Sequence, residues 1–270
     1  MKKVFLLLLM ILIVGGCGAG KDDSKDVDSM KYKKVFTIGF DESFAPMGFR
    51  NEAGEIVGFD IDLAKAVSKH MGVTFEFRPI AWDKKEEEIT SGNIDMIWNG
   101  LDIIDEYKKY MIFSKPYMDN RQILLVNAGN IHRIHSVSDL EGKVVGAQAG
   151  SNAEAYINEN EKLKKSFAVF RTYHNLQEGF ESLRKEHFYV LIIDEIAARY
   201  EMSKHPGDFE IIEATVGSTT EFGIGFRKND TELRDKVQKA FDAIVSDGTA
   251  KAISEQWFHA DLIKLRRKYQ

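Results

Sequence analysis

The sequence predicts an α/β fold built as two successive units, on three observations. Short apolar strand-like runs alternate with helix-period segments, the alternation restarts after Asn130, and each unit carries a polar loop where a strand hands over to a helix. Val35–Gly39 reads as a buried strand running into an acid-bearing loop. Asp60 is placed to cap a helix to Met71, with Leu63, Val67 and Met71 along one face and Gly72 just past its end. Phe75–Ile80 is strand-like, Lys84–Ser91 helical and closed by Gly92, and Ile94–Trp98 a further strand.

In the second unit Val144–Ala147 is a strand, Gln148-Ala149-Gly150-Ser151 a loop, and a helix follows from about Asn152. Tyr189–Asp194 is an apolar strand ending in an acid. Leu233, Val237, Phe241, Ile244 and Val245 trace one face of a late amphipathic helix stopped by Asp247-Gly248. Open sheets of this kind bind ligands outside the carboxyl ends of their strands, and a cleft between two such units suits a small molecule.

The amino-terminal segment has a different purpose. Lys2 and Lys3 precede eleven apolar residues, Val4–Val14, and then Gly15-Gly16-Cys17, the order of a secretory signal. Eleven helical residues rise only ~16 Å, too little for a ~30 Å hydrocarbon core. Residues 1–16 are therefore expected to be a signal peptide. Residues 17–32, rich in Gly, Ser, Lys and Asp, are expected to be an attachment point and flexible tether that cannot bury enough surface to offset its ordering entropy. Without Lys2 and Lys3 the chain keeps 35 basic against 42 acidic residues, which argues against a nucleic-acid partner. Cys17 is the only cysteine, so no disulfide supports the fold.

Cys17 behind its apolar run resembles the lipobox of bacterial lipoproteins, which implies a diacylated (palmitate-bearing) cysteine and an extracytoplasmic, lipid-anchored protein, on a Gram-positive outer face or in a Gram-negative periplasm. Five further motifs stand in order: Gly58-Phe59-Asp60-Ile61-Asp62-Leu63-Ala64, Ser91-Gly92-Asn93-Ile94-Asp95, Phe113-Ser114-Lys115-Pro116-Tyr117, Leu140–Gly146, and Asp247-Gly248-Thr249 through Trp257-Phe258. In these the chain resembles the extracytoplasmic solute-binding proteins of amino-acid ABC importers over roughly residues 33–262. The resemblance implies a two-lobed, type II periplasmic-binding-protein fold that closes on its ligand about two crossover strands. The crossovers fall near Ile123–Val126 and Phe222–Phe226, giving one lobe of residues 33–124 with 220–270 and another of 125–219. It also implies an ABC permease as partner, no cofactor and no catalysis.

An α-amino acid held in such a cleft needs an anion for its ammonium, donors for its carboxylate and a wall for its side chain. By the resemblance Asp194 is the ammonium-binding acid, with a helix-capping aspartate as the other reading. Asp41 would meet a distal polar group, and Phe44 and Trp82 would be wall or simply core. Asn99, Gly100 and Asp102 would form a loop along the ligand, and Ser151 and Asn152 would receive the carboxylate at a helix N-terminus.

One departure stands out. Where the family has Thr, two residues, then Arg, this chain has Ile104-Asp105-Glu106-Tyr107. Ile104 can neither cap nor donate, although Asp105 could take over the capping. Tyr107 offers a neutral hydroxyl in place of a cationic fork, a difference of roughly 1.5–3 kcal/mol for a charge-assisted bond. Neither Arg50 nor Arg121 falls where it could substitute. Asp41, Asp102 and Asp194 with Phe44, Trp82 and Tyr107 form an acidic, aromatic constellation suited to a cation. Two ligand readings stay open: an ordinary amino acid, or a cationic amine lacking an α-carboxylate. A small-carboxylate dehydratase is disfavoured by the absent Arg and the absence of a nucleophile–base pair. A sensor acting in trans is a third possibility. His132 and His135 are the only close histidine pair and lack the further ligands a metal site needs.

Overall fold

The computed structural model describes residues 33–264. The expected signal peptide, attachment point at Cys17 and tether all lie outside the described residues. The elements of the first stretch are β1 (Val35–Phe40), β2 (Ser43–Phe44), β3 (Gly48–Arg50), β4 (Ile56–Val57), α1 (Phe59–Met71), β5 (Thr74–Pro79), α2 (Lys85–Thr90), β6 (Met96–Asp102), α3 (Asp105–Lys108) and β7 (Met111–Phe113). After them come β8 (Met118–Asn127), β9 (Val144–Gln148), α4 (Asn152–Glu159), α5 (Glu161–Ser166), β10 (Val169–Tyr173), α6 (Leu176–Arg184), β11 (Val190–Asp194) and α7 (Glu195–Lys204). The last three are β12 (Phe209–Arg227), α8 (Thr231–Ser246) and α9 (Thr249–Phe258).

The main sheet runs β10-β9-β11-β8-β12-β6-β1-β5, with β7 also pairing β12. Its ends are two parallel trios: β1 pairs β5 and β6, and β9 pairs β10 and β11. Between them β8 and β12 run antiparallel to each other and to their outer neighbours. The outer edges of the two central strands locate the passage between halves. β8 stays paired with β12 along its length and gains β11 on its other edge only from Gln122, β12 gains β6 only from Phe222, and the register of β8 against β12 slips between Val216 and Thr220. The passage thus lies a few residues before Ile123–Val126 and before Phe222–Phe226, both of which are already inside one half.

Each trio has its own core. Leu124, Val145, Ile157, Val190, Ile192 and Ile212 pack together on the second side. Ile89, Ile94, Ile97, Leu101 and Met111 do so on the first, with Trp82 and Tyr107 among them. Each fully buried side chain of this size contributes roughly 1.5–3 kcal/mol. The carboxy-terminal helices complete the first half: Phe258 meets Phe59 edge-on at 4.8 Å and Trp257 donates to Asp62 at 2.9 Å.

Local expectations meet two corrections. Gly72 does take the left-handed conformation after α1, but Gly58 occupies the N-cap position and Asp60 is fully buried inside the first turn. Its Oδ2 accepts from Gly100 N at 2.6 Å and Tyr117 OH at 2.9 Å, so the acid anchors the neighbouring strand rather than its own helix. Asn99–Asp102 is the carboxyl end of β6, not a loop, because Leu101 and Asp102 pair with Gly223 and Phe222 of β12. Among the described residues no helix is long and apolar enough to cross a membrane.

Candidate functional site

Strand ends from both halves converge on one small cavity. Asp41, Phe44, Trp82, Gly100, Asp102 and Tyr107 line it from the first half, and Gln148, Ser151, Asn152 and Asp194 from the second. Asp41 follows β1, Gly100 and Asp102 end β6, Gln148 ends β9 and Asp194 ends β11, which is where the pleat leaves side chains free at a strand terminus.

The first wall is held from behind. Asn99 Oδ1 accepts from Asp41 N at 2.9 Å and its Nδ2 donates to Gly48 O at 3.2 Å. Asn99 is fully buried in that role and does not reach the cavity, a correction to its expected place beside the ligand. Asp41 Oδ1 accepts from Ser43 N and Oγ at 2.9 and 2.7 Å, and its Oδ2 accepts from Gln148 Nε2 at 2.5 Å across the cleft. Burial pushes the Asp41 carboxyl up. Gly100 has φ of +56°, and a Cβ there would lie 2.4 Å from the Phe44 ring, so only glycine lets that ring close the floor.

Asp102 and Asp194 stand on opposite halves and share one amide. Asn120 Nδ2 donates to Asp102 Oδ1 at 3.0 Å and also to Asp194 Oδ1. Thr220 donates a further bond to Asp102, and Gln122 one to Asp194 at 2.7 Å. Asp194 occupies the N-cap position of α7 without a side-chain cap bond, so its oxygens are turned to the cleft and the hinge strands. Both carboxyls are raised, chiefly by burial, and Asp102 also by the charge of Asp194.

The second wall presents a helix end. Ser151 caps α4, its Oγ accepting from Glu154 N at 3.1 Å, which leaves the first N–H groups of the helix directed outward. Opposite, Ile104 fills the N-cap position of α3 with no side-chain bond, and Asp105 pairs with Lys108 at 2.8 Å instead of capping. Tyr107 is buried, and its hydroxyl donates to Gly150 O at 2.7 Å. Beside it lies a cation the sequence reading passed over. Lys85, 3% exposed, has its Nζ 4.4 Å from the Tyr107 ring centre and 5.2 Å from that of Trp82. Burial pulls its ammonium down to about 8 against the opposing pull of Glu106, Glu154, Asp83 and Glu86. Trp82, Lys85 and Ile89 at i, i+3 and i+7 share one buried face, and that spacing was the available signal. Arg50 pairs with Glu42, and Arg121 with Glu195 and Glu213, away from the cavity.

Of the lining residues named above, Gln148 alone was not singled out beforehand; as the last residue of β9 it was legible only by analogy with Asp194. His132 stacks on Tyr189 at 3.8 Å between ring centres, and no group of three or more metal-ligating side chains occurs among the described residues.

Residues 36–260 match the model of the bacterial extracellular solute-binding proteins, family 3. The L-cystine-binding protein TcyJ of Escherichia coli K12 is 29% identical over 264 residues, covering 97% of each chain. The histidine-binding periplasmic protein of Salmonella typhimurium LT2 is 29% identical over 269 residues, 97% of this chain and 99% of the relative. Among solved structures, an ABC uptake transporter substrate-binding protein from Streptococcus pneumoniae with bound histidine superposes with a TM-score of 0.83 at 36% identity, over 90% of this chain and 99% of that one. An ancestral arginine-binding protein bound to arginine gives 0.78 at 35%, over 84% and 99%. The fold is the two-lobed, type II periplasmic-binding-protein fold, and the chain belongs to the bacterial extracellular solute-binding proteins, family 3.

Proposed function

We propose that this protein captures an α-amino acid, with a preference for a cationic side chain, in the cleft between its two halves and delivers it to an ABC permease. The observation that carries the reading is a cavity with three carboxylates on its walls facing the N-terminus of α4. Asp194 and Asp102 receive the α-ammonium, the α4 N-terminus at Ser151 and Asn152 receives the carboxylate, and Asp41 with Gln148 meets the distal group. Phe44, Trp82 and Tyr107 supply apolar wall and faces for a cation. The named ligands of the relatives, cystine, histidine and arginine, support the class. Lobes of 33–124 with 220–270 and of 125–219 are supported to within a few residues by β8 gaining β11 at Gln122 and β12 gaining β6 at Phe222. Delivery rather than chemistry fits a family of solute-binding proteins, and diacylation at Cys17 would tether the receptor outside the cytoplasm.

Tyr107 in place of the family's Arg favours a second reading, a cationic amine without an α-carboxylate. A thermal-shift screen of the purified protein against amino acids, polyamines and quaternary amines separates the two. A ligand at ~100 times its dissociation constant stabilises the fold by about 2.7 kcal/mol. Stabilisation by L-arginine, L-lysine or L-histidine supports the first reading. Stabilisation by carboxylate-free amines alone supports the second, and stabilisation by acidic amino acids alone defeats both.

A further inference from the structure

One carbonyl in the cleft is gripped from the opposite half by two donors. Gly150 O accepts from Tyr107 OH at 2.7 Å and also from Lys85 Nζ, both on the first half, while Gly150 itself belongs to the β9–α4 turn of the second. The same residue is fixed on its other side, its N–H donating to Glu154 Oε2 at 2.6 Å. The backbones meet closely here: a Cβ on Gly150, at φ +75°, would lie 2.6 Å from Asp83 Cα and 3.0 Å from Trp82 O. Lys85 also donates to Trp82 O at 3.3 Å, so its ammonium ties the two approaching segments together.

We propose that Lys85 is a positioning residue for ligand capture, clamping the Gly150 carbonyl jointly with Tyr107 and so fixing the turn whose N–H groups receive the carboxylate. The proposal rests on the amino-acid reading above. It also accounts for Tyr107: a neutral hydroxyl suits a carbonyl already shared with a buried ammonium, whereas a second cation at that position would stand against Lys85. Glu106, Glu154, Asp83 and Glu86 surround the ammonium, so its effect on a ligand is exerted through Gly150 and not as a free positive charge.

Two matched ligand pairs test this: L-arginine with agmatine, and L-histidine with histamine, each amine being the amino acid without its carboxylate. Dissociation rates are measured by stopped flow on the full-length protein, its Lys85→Met and Tyr107→Phe variants and the double variant. Lys85→Met is expected to speed release of the two amino acids about tenfold and of the two amines less than about twofold. Tyr107→Phe should act in the same direction, and the double variant should depart from the product of the single effects, because both donors serve one oxygen. A purely structural role would slow or speed both members of a pair alike, and that result overturns the proposal, as do unchanged rates. Should Lys85→Met fail to fold, Tyr107→Phe, which keeps the buried ring, carries the same comparison. Failure of all four compounds to bind the unmodified protein removes the amino-acid reading and this inference with it. Binding with equal losses within each pair removes only the inference.

Discussion

The two walls of the cleft are built on matching parallel trios yet do their work with different chemistry. The first presents side chains, two carboxylates and three aromatic rings, with Asp41 braced by Asn99 and Ser43, Asp102 by Asn120 and Thr220, and the Gly100 backbone by Asp60. The second presents backbone, a helix N-terminus capped by Ser151 and a glycine peptide, with Asp194 and Gln148 at neighbouring strand ends. A wall of side chains can change its preference by substitution, whereas a wall of N–H groups offers every ligand of the class the same anion-binding edge. On the proposed reading, selectivity belongs mainly to the first half and retention of the ligand's carboxylate to the second.

That division can be broken most directly at Asp194. Asp194→Ala is expected to abolish ligand-induced stabilisation, a loss of at least about 100-fold in affinity, measured by isothermal titration. The unliganded melting temperature should stay close to that of the parent, since Asn120 keeps Asp102 as an acceptor. Unreduced binding would mean that the second wall does not hold the ammonium.

Gly150→Ala comes next. Its methyl group would strike Asp83 only when the halves are together, so affinity should fall about tenfold or more. Stability should fall by only about 1 kcal/mol, the cost of a positive φ without glycine. Equal losses in affinity and stability would show that the turn matters to the fold and not to closure.

The smallest effect is a pH dependence. Asp102 and Asp194 have folded-state pKa values above their unfolded ones, so their contribution is present at low pH and is lost as pH rises through the folded values. The unliganded protein should melt lower at pH 8 than at pH 6, and a bound cation should reverse the trend. Asp60, pushed by burial to about 7, adds to the same slope. Asp102→Asn should flatten it in part, and an unchanged slope would assign the effect to Asp60 and Asp194.

Much of this arrangement was legible in residue order. The alternation of strands and helices locates the parallel trios, and Gly72 ends its helix as its position predicts. The lining acids Asp41, Asp102 and Asp194 were accessible through the family resemblance, and for Asp194 also as the acid that closes an apolar strand. What could not be read was the partner of each buried polar group. Asp60 resembles a cap by spacing, and only the approach of β6 makes it the acceptor for Gly100 and Tyr117. Asn99 looks like a ligand contact until both ends of its amide are found occupied. Lys85 was hidden for the opposite reason: among the charged residues of Asp83–Glu88 nothing but its i+3 relation to Trp82 marks it as the one turned inward.

The 19 residues of β12 have a consequence for how the chain acquires its shape. The second trio and its helices come from one continuous stretch of sequence, so most of their contacts are available as soon as that stretch exists. The first half must wait: β1, β5 and β6 pair locally, but β6 finds its inner neighbour only when Phe222–Phe226 arrives, more than a hundred residues later, and α1 is covered only after α8 and α9 follow. Closing so long a loop is slow relative to local pairing. The first half is thus the last to be completed.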